Sequence, residues 1–291
     1  MRVINNNNSV DYFLALRCTT QKYAKGFIEN GEIKFSTPQS WVAYEENHGK
    51  GRGDVLEGTF ACCNQWDIEN LFTISTKYNI SEDRNIEKYI KDGKIYFKRK
   101  NVMNLPTFCI YLLKTDAFEW PEDTGWHTIR TTIPPKYFRD FADQKAIEEI
   151  NKLPIHEQPA VVFIHDFDEL KNRIVAHLVS LGIRREEILI EPVSYYDFNQ
   201  YGTMGWFDLC QKPPLELAFK DTSFSNQSEA RFIINTKNEV AADYLRNNVI
   251  QLGALSDIAK IAEGYFSEGL EFCCIVELAE RDDVKDNKKM N

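Results

Sequence analysis

Apolar residues run without a break from Tyr12 to Leu16 and stop at a single arginine, Arg17, the pattern of a short buried strand. Thr19-Thr20 then offer caps for a helix reaching about Asn30, and Gly31 supplies the residue that ends it. Glu32 to Phe35 alternate polar with apolar as a half-buried strand does, and Ser36-Thr37-Pro38 stops that strand. The opening unit is therefore strand, helix, strand.

Further along, the segment from Glu45 to Gly58 holds four of the chain's 14 glycines and reads as an irregular loop. Ser81 is positioned to cap a helix closed by Gly93, and Lys94 to Lys98 follows as a strand. Thr107 to Leu113 and Ala160 to His165 are apolar enough for central strands. From Asp166 to Leu181 the apolar positions 167, 170, 174, 175, 178 and 181 carry helical spacing, and Gly182 terminates them. Glu229 to Asn235, Val249 to Leu252 and Phe272 to Leu278 read as strands, with a helix from about Ser256 to Ala262 between the last two. Strands and helices mix without regular alternation, so the class is α+β. No repeat and no Gly, Ser or Pro linker divides the chain, which parses as one domain over 1–279 and a charged tail over 280–291.

Composition narrows the chemistry. A chain of 291 residues with 43% apolar content can bury a full core without staples. Its 35 Lys and Arg against 44 Asp and Glu leave a formal charge of −9, which argues against a protein built to grip duplex phosphate. The apolar runs are far short of the roughly 20 residues that cross a bilayer. Met1-Arg2-Val3-Ile4 and the asparagines after it form no signal peptide, so a cytoplasmic protein without a membrane partner is expected. The 7 cysteines include two adjacent pairs and no C-x-x-C spacing; they read as reduced thiols, and no metal is expected. Phosphate-binding loops, dinucleotide fingerprints and nucleophile elbows are absent from the sequence. The aromatic stretch Tyr195-Tyr196-Asp197-Phe198 reads as core packing and lid rather than a surface for stacking bases.

Three features remain: Arg17 at the end of the first strand, Ser36-Thr37 at the end of the second, and Gln227-Ser228-Glu229 leading into a late strand. In that order they resemble the ADP-ribosyltransferase superfamily, in its Arg, Ser-Thr-x and Gln/Glu-x-Glu branch. The motifs Ile33-Lys34-Phe35-Ser36-Thr37-Pro38 and Gln227-Ser228-Glu229-Ala230-Arg231 are also similar to those of bacterial domains found near phage-defence genes. The resemblance implies a split β-core, NAD as substrate, and a macromolecular acceptor or water. It makes Glu229 the carboxylate facing an oxocarbenium-like ribose, as other glycosyl-bond cleavages require. Gln227, two positions earlier, would share its face on the strand and orient the acceptor. Arg17 would hold the pyrophosphate with its planar fork. Ser36 would bond the strand carrying Glu229 or the nicotinamide ribose, Thr37 would support it, and Trp41 or Tyr23 would offer nicotinamide an aromatic face. Gln at the first motif position accompanies acceptors other than arginine in that superfamily. The early motif departs from the defence-associated domains in lacking the "fNDPfE" that commonly follows their strand; with Gly53-Asp54-Val55-Leu56-Glu57-Gly58 as its remnant, the resemblance implies Asp54 and Glu57 at the mouth of the site. An anionic dinucleotide also demands a local cationic patch around Arg17, with Lys50 and Arg52 as candidates, against the sign of the whole chain.

Each feature taken singly has an ordinary reading. Arg17 can pair at a strand end, Ser36-Thr37-Pro38 can simply stop a strand, and Glu229 with Arg231 can be an ion pair on an edge strand. Two other functions therefore stay open: a catalytically silent binding or sensor module of the same fold, and a metal-dependent nuclease with carboxylates from distant segments.

Overall fold

A computed structural model describes residues 12–48, 54–141, 152–197, 213–262 and 268–278. The chain opens with β1 (Tyr12–Thr20), α1 (Gln21–Asn30), β2 (Glu32–Lys34) and α2 (Pro38–His48). Next come β3 (Thr59–Asn64), α3 (Ile68–Lys77), β4 (Ile86–Lys91) and β5 (Lys94–Arg99), the strands forming an antiparallel sheet in the order β3-β5-β4. The short α4 (Lys100–Met103) leads to β6 (Thr107–Lys114), β7 (Gly125–Ile133), α5 (Pro135–Phe141) and β8 (Pro159–Ile164). Then follow α6 (Phe167–Ser180), β9 (Ile188–Pro192), β10 (Ser194–Tyr196) and β11 (Phe219–Asp221). The last elements are β12 (Glu229–Ile234), α7 (Glu239–Asn247), β13 (Val249–Gln251), β14 (Ala259–Ile261) and β15 (Leu270–Leu278). This is an α+β fold.

A six-stranded sheet in the order β14-β8-β1-β6-β12-β9 forms its centre, with every neighbouring pair antiparallel. Side chains alternate across it with period two. Ala15, Phe108, Val162, Ile164 and Phe232 enter the core shared with Phe27 of α1, Leu170 and Ile174 of α6 and Leu245 of α7. Leu14, Leu16 and Leu113 enter the opposite core, closed by Ile129 and Ile133 of β7 and Tyr137 and Phe138 of α5, with β15 paired to β7 along its length. Helices α1, α6 and α7 thus cover one face, and the β7-β15 ribbon with α5 covers the other. Among the described residues no helix is long and apolar enough to cross a membrane.

One irregularity in this sheet creates the site. β1 pairs with β6 only from Tyr12↔Lys114 to Leu16↔Tyr111. Beyond that point β1 stays with β8 out to Thr20↔Pro159, and β6 stays with β12 down to Thr107↔Ile233. The two halves of the sheet part there, and Arg17 and Cys18 on one side and Cys109 and Ile110 on the other no longer share a ladder.

Three expectations are corrected. The segment assigned to a helix between Ser81 and Gly93 is a turn followed by β4, joined to β5 through Asp92 and Gly93 at φ 50° and 75°. Two successive positive φ values are what a tight hairpin needs, and Asp-Gly supplies them. The helix expected from Ser256 to Ala262 is one turn and then β14, because pairing of Ala259 to Ile261 with β8 and burial of Ile258 and Ala259 outweigh local preference. The loop placed at 45–58 begins inside α2, whose start is fixed by Thr37: its Oγ1 accepts from Ser40 N at 3.2 Å, while Thr37 N donates to Ser40 Oγ at 3.2 Å. Pro38, taken as a strand stop, is also the preferred first helical residue. Cys18, Cys62 and Cys63 are buried thiols, but Cys273 is exposed on β15.

Candidate functional site

Where β1 and β6 diverge, the structure holds a cavity of about 720 Å³. Arg17, Tyr23, Ser36, Trp41, Gln227 and Glu229 all line it. They come from β1, α1, the end of β2, α2 and the entry to β12, so the cavity joins segments far apart in the chain. Thr37 is not among its lining residues; its hydroxyl is committed to capping α2. Lys50 and Arg52 lie outside the described residues.

Arg17 leaves β1 with its guanidinium over two rings, 5.4 Å from the Phe27 centroid and 5.0 Å from that of Phe108. Cation–π contacts of this kind hold the guanidinium against the two rings. Ser36 does not reach β12. Its backbone forms a bridge with Thr107 at the start of β6, Ser36 N donating at 2.9 Å and accepting at its carbonyl at 2.8 Å. Tyr23 stands at the rim, 59% exposed. Trp41 has one side occupied, with the Arg231 guanidinium 5.1 Å from its ring centroid.

The floor is a buried ionic cluster. Lys220 Nζ on β11 donates to Gln227 Oε1 at 2.6 Å and to Glu229 Oε1 at 3.0 Å. Arg231 Nε donates to Glu229 Oε2 at 2.9 Å, and its Nη1 and Nη2 form a two-pronged pair with Glu57. Glu229 is 5% exposed and Arg231 1%. Burial pushes the Glu229 carboxyl upward, yet Lys220 and Arg231 outweigh it and hold the group at about 2, so it is ionised at neutral pH. The expected surface ion pair on an edge strand is thus a buried one, and β12 is an interior strand flanked by β6 and β9.

Gln227 and Glu229 do not share a strand face. Gln227 closes a turn of 3₁₀ helix over Thr222–Gln227, and Ser228 follows in the left-handed region at φ 40° and ψ 50°. A residue other than glycine held there costs about 1–2 kcal/mol. Here it is held by Leu112, whose N–H donates to the Ser228 carbonyl at 2.8 Å and whose carbonyl accepts from Ser228 Oγ at 2.8 Å. The Glu229 N–H donates to Tyr195 Oη at 2.9 Å, a role for the aromatic stretch that its composition does not disclose.

Asp54 and Glu57 lie behind the floor rather than at the mouth, 3% and 1% exposed. The Asp54 carboxylate accepts from Leu56 N at 2.8 Å through Oδ1, while Oδ2 is buried with no hydrogen-bond partner among the described residues. Burial first, and the Glu57 charge second, push this carboxyl up to about 6 despite Lys220 nearby.

No protein-family model, curated protein or solved structure matches this chain. Four cationic side chains line the cavity (Arg17, Lys34, Lys220 and Arg231) against two carboxylates, Glu32 and Glu229, in a protein whose formal charge is −9. Glu57 offsets one of these cations from behind the floor through its pair with Arg231, and the excess left among the lining side chains suits an anionic ligand. Three of these cations were not anticipated as part of the site. Lys34 and Arg231 stood in quoted motifs, but Lys220 carries no local sequence signal. Among the described residues no group of three or more His, Cys, Asp or Glu is arranged to hold a metal ion.

Proposed function

We propose that the chain binds NAD in this cavity and transfers its ADP-ribose group to water or to a macromolecular acceptor, as an ADP-ribosyltransferase-like enzyme. The observation that carries this reading is the convergence of Arg17, Ser36, Trp41, Gln227 and Glu229 on one cation-rich cavity. In this reading the parting of β1 from β6 is the split of the core that receives the dinucleotide. Arg17, held against the Phe27 and Phe108 rings, takes the pyrophosphate. Glu229 stays ionised beside the nicotinamide ribose. Its carboxylate has about four acceptor positions; Lys220 takes one on Oε1 and Arg231 takes those on Oε2, which leaves a position on Oε1 for a ribose hydroxyl. The bond from ribose C1′ to the nicotinamide nitrogen breaks, nicotinamide departs with the electron pair, and the acceptor adds to C1′ and gives up a proton. The ionised carboxylate lowers the cost of the positive charge that grows on the ribose.

The test is nicotinamide release from NAD by purified protein, with and without cell extract as acceptor source. Glu229→Gln should lower the rate about a hundredfold or more, the order lost with a preorganised transition-state contact. Absence of both NAD binding and nicotinamide release in the wild type refutes the proposal.

One observation favours a second reading, a binding module of the same fold without turnover. The charge of Glu229 is already matched by Lys220 and Arg231, which weakens its pull on a developing cation. NAD binding with no release of nicotinamide under any acceptor condition would select this reading. Magnesium-dependent cleavage of nucleic acid would select a nuclease instead.

A further inference from the structure

Of the groups in the cavity, Lys220 has the least sequence signal and the most structural consequence. It lies on β11, which pairs in parallel with β10, the strand carrying Tyr195. Its side chain is 4% exposed, and its ammonium lies 2.6 Å from Gln227 Oε1, 3.0 Å from Glu229 Oε1 and 4.7 Å from the Phe224 ring centroid. The two residues of the Gln-x-Glu motif are separated by a left-handed turn, so strand alternation cannot set their spacing. Lys220 touches both.

We propose that Lys220 is a positioning residue of this site, its ammonium locking the Gln227 amide and the Glu229 carboxylate into one arrangement. Two features of the cluster make the lock effective. First, burial disfavours a charged lysine, but Glu229, with Glu57 and Asp54 beyond it, outweighs burial and the opposing Arg231, so the amine stays protonated. Second, Arg231 cannot take over the role. Its fork is spent on Glu57, the Leu217 carbonyl and Glu229 Oε2. The Gln227 oxygen faces the ammonium, so the amide nitrogen is turned away from Lys220. This assignment rests on the reading of Glu229 as the carboxylate of the site, but its test does not depend on NAD being cleaved.

The experiment follows the side-chain carboxyl carbon of Glu229 by ¹³C NMR in the full chain, assigned with Glu229→Gln and titrated from pH 7 downward. In wild-type protein the signal should stay in its ionised position until the protein nears its acid limit. In Lys220→Met the midpoint should rise by at least one pH unit, a tenfold or greater gain in proton affinity, and Lys220→Arg should restore most of the difference. An unchanged midpoint in folded Lys220→Met overturns the proposal. Should that variant fail to fold, the unmutated protein decides: its Lys220 ammonium should give a ¹⁵N signal that exchanges slowly with water. A Lys220 signal that exchanges like a solvated lysine overturns the proposal. Nicotinamide release bears on the nucleotide reading alone, so failure of one does not pass for failure of the other.

Discussion

Asp54 is a carboxyl group that this fold accommodates poorly, and that makes a quantitative prediction. It is 3% exposed, one oxygen has no partner among the described residues, and Glu57 crowds it. Its proton affinity rises from an ordinary 3.8 to about 6 on folding. Because the folded value is the higher one, the folded chain binds the proton more tightly than the unfolded chain. Stability from this group is therefore greatest below pH 3.8, falls as pH rises toward about 6, and is level above that. A difference of about two units, at roughly 1.4 kcal/mol each, places the penalty near 3 kcal/mol at pH 8. Asp54→Asn has nearly the same shape, keeps an oxygen to accept from Leu56 N, and removes the charge. The variant should be more stable than wild type by up to about 3 kcal/mol at pH 8, with the gain fading as pH falls to 4. Urea denaturation of both proteins at pH 4, 6 and 8 measures this directly. A variant less stable than wild type at pH 8, or a difference that is the same at pH 4 and pH 8, would refute the reasoning.

Other consequences of the same cluster and its frame can be checked alongside. Glu57→Gln leaves the buried Arg231 cation without its two-pronged partner and should cost about 3–5 kcal/mol in urea denaturation; a loss below about 1 kcal/mol would mean the pair is not isolated from water. Glu229 has the opposite sign to Asp54: its folded value, about 2, lies below the ordinary 4.5, so its stabilisation is present above pH 4.5 and drains away as pH falls toward 2. Acid denaturation of Glu229→Gln should accordingly show a shallower loss of stability below pH 4.5 than wild type. Gly31→Ala sets a Cβ 2.4 Å from the Gly253 carbonyl at φ +64° and should destabilise by on the order of 1–2 kcal/mol, read as a lower thermal midpoint.

Much of the frame was legible because local chemistry and tertiary structure agree. Gly31 ends α1 in the left-handed conformation, Asp166 caps α6 by accepting from Glu169 N, and the apolar stripe of that helix is the face it buries. Illegible elements are those in which distant partners decide. β14 exists because β8 has an unpaired edge, and no feature of Ser256 to Ala262 announces it. The hairpin at Asp92-Gly93 is a different case, since its turn dipeptide is readable but competes with the helix cap that Ser81 offers. At the site, motif order pointed to Arg17, Ser36, Gln227 and Glu229, but the way they meet was hidden. Lys220 sits in a segment with no periodic signal, and the left-handed Ser228 breaks the alternation on which the pairing of Gln227 with Glu229 was argued.

The central claim is that the gap between β1 and β6 receives a dinucleotide, and a crystal structure of the protein with NAD tests it most directly. The account predicts density for the pyrophosphate at the Arg17 guanidinium and for the nicotinamide ribose within hydrogen-bond reach of Glu229. Density for NAD elsewhere on the protein, or an unchanged cavity at saturating NAD, would contradict it.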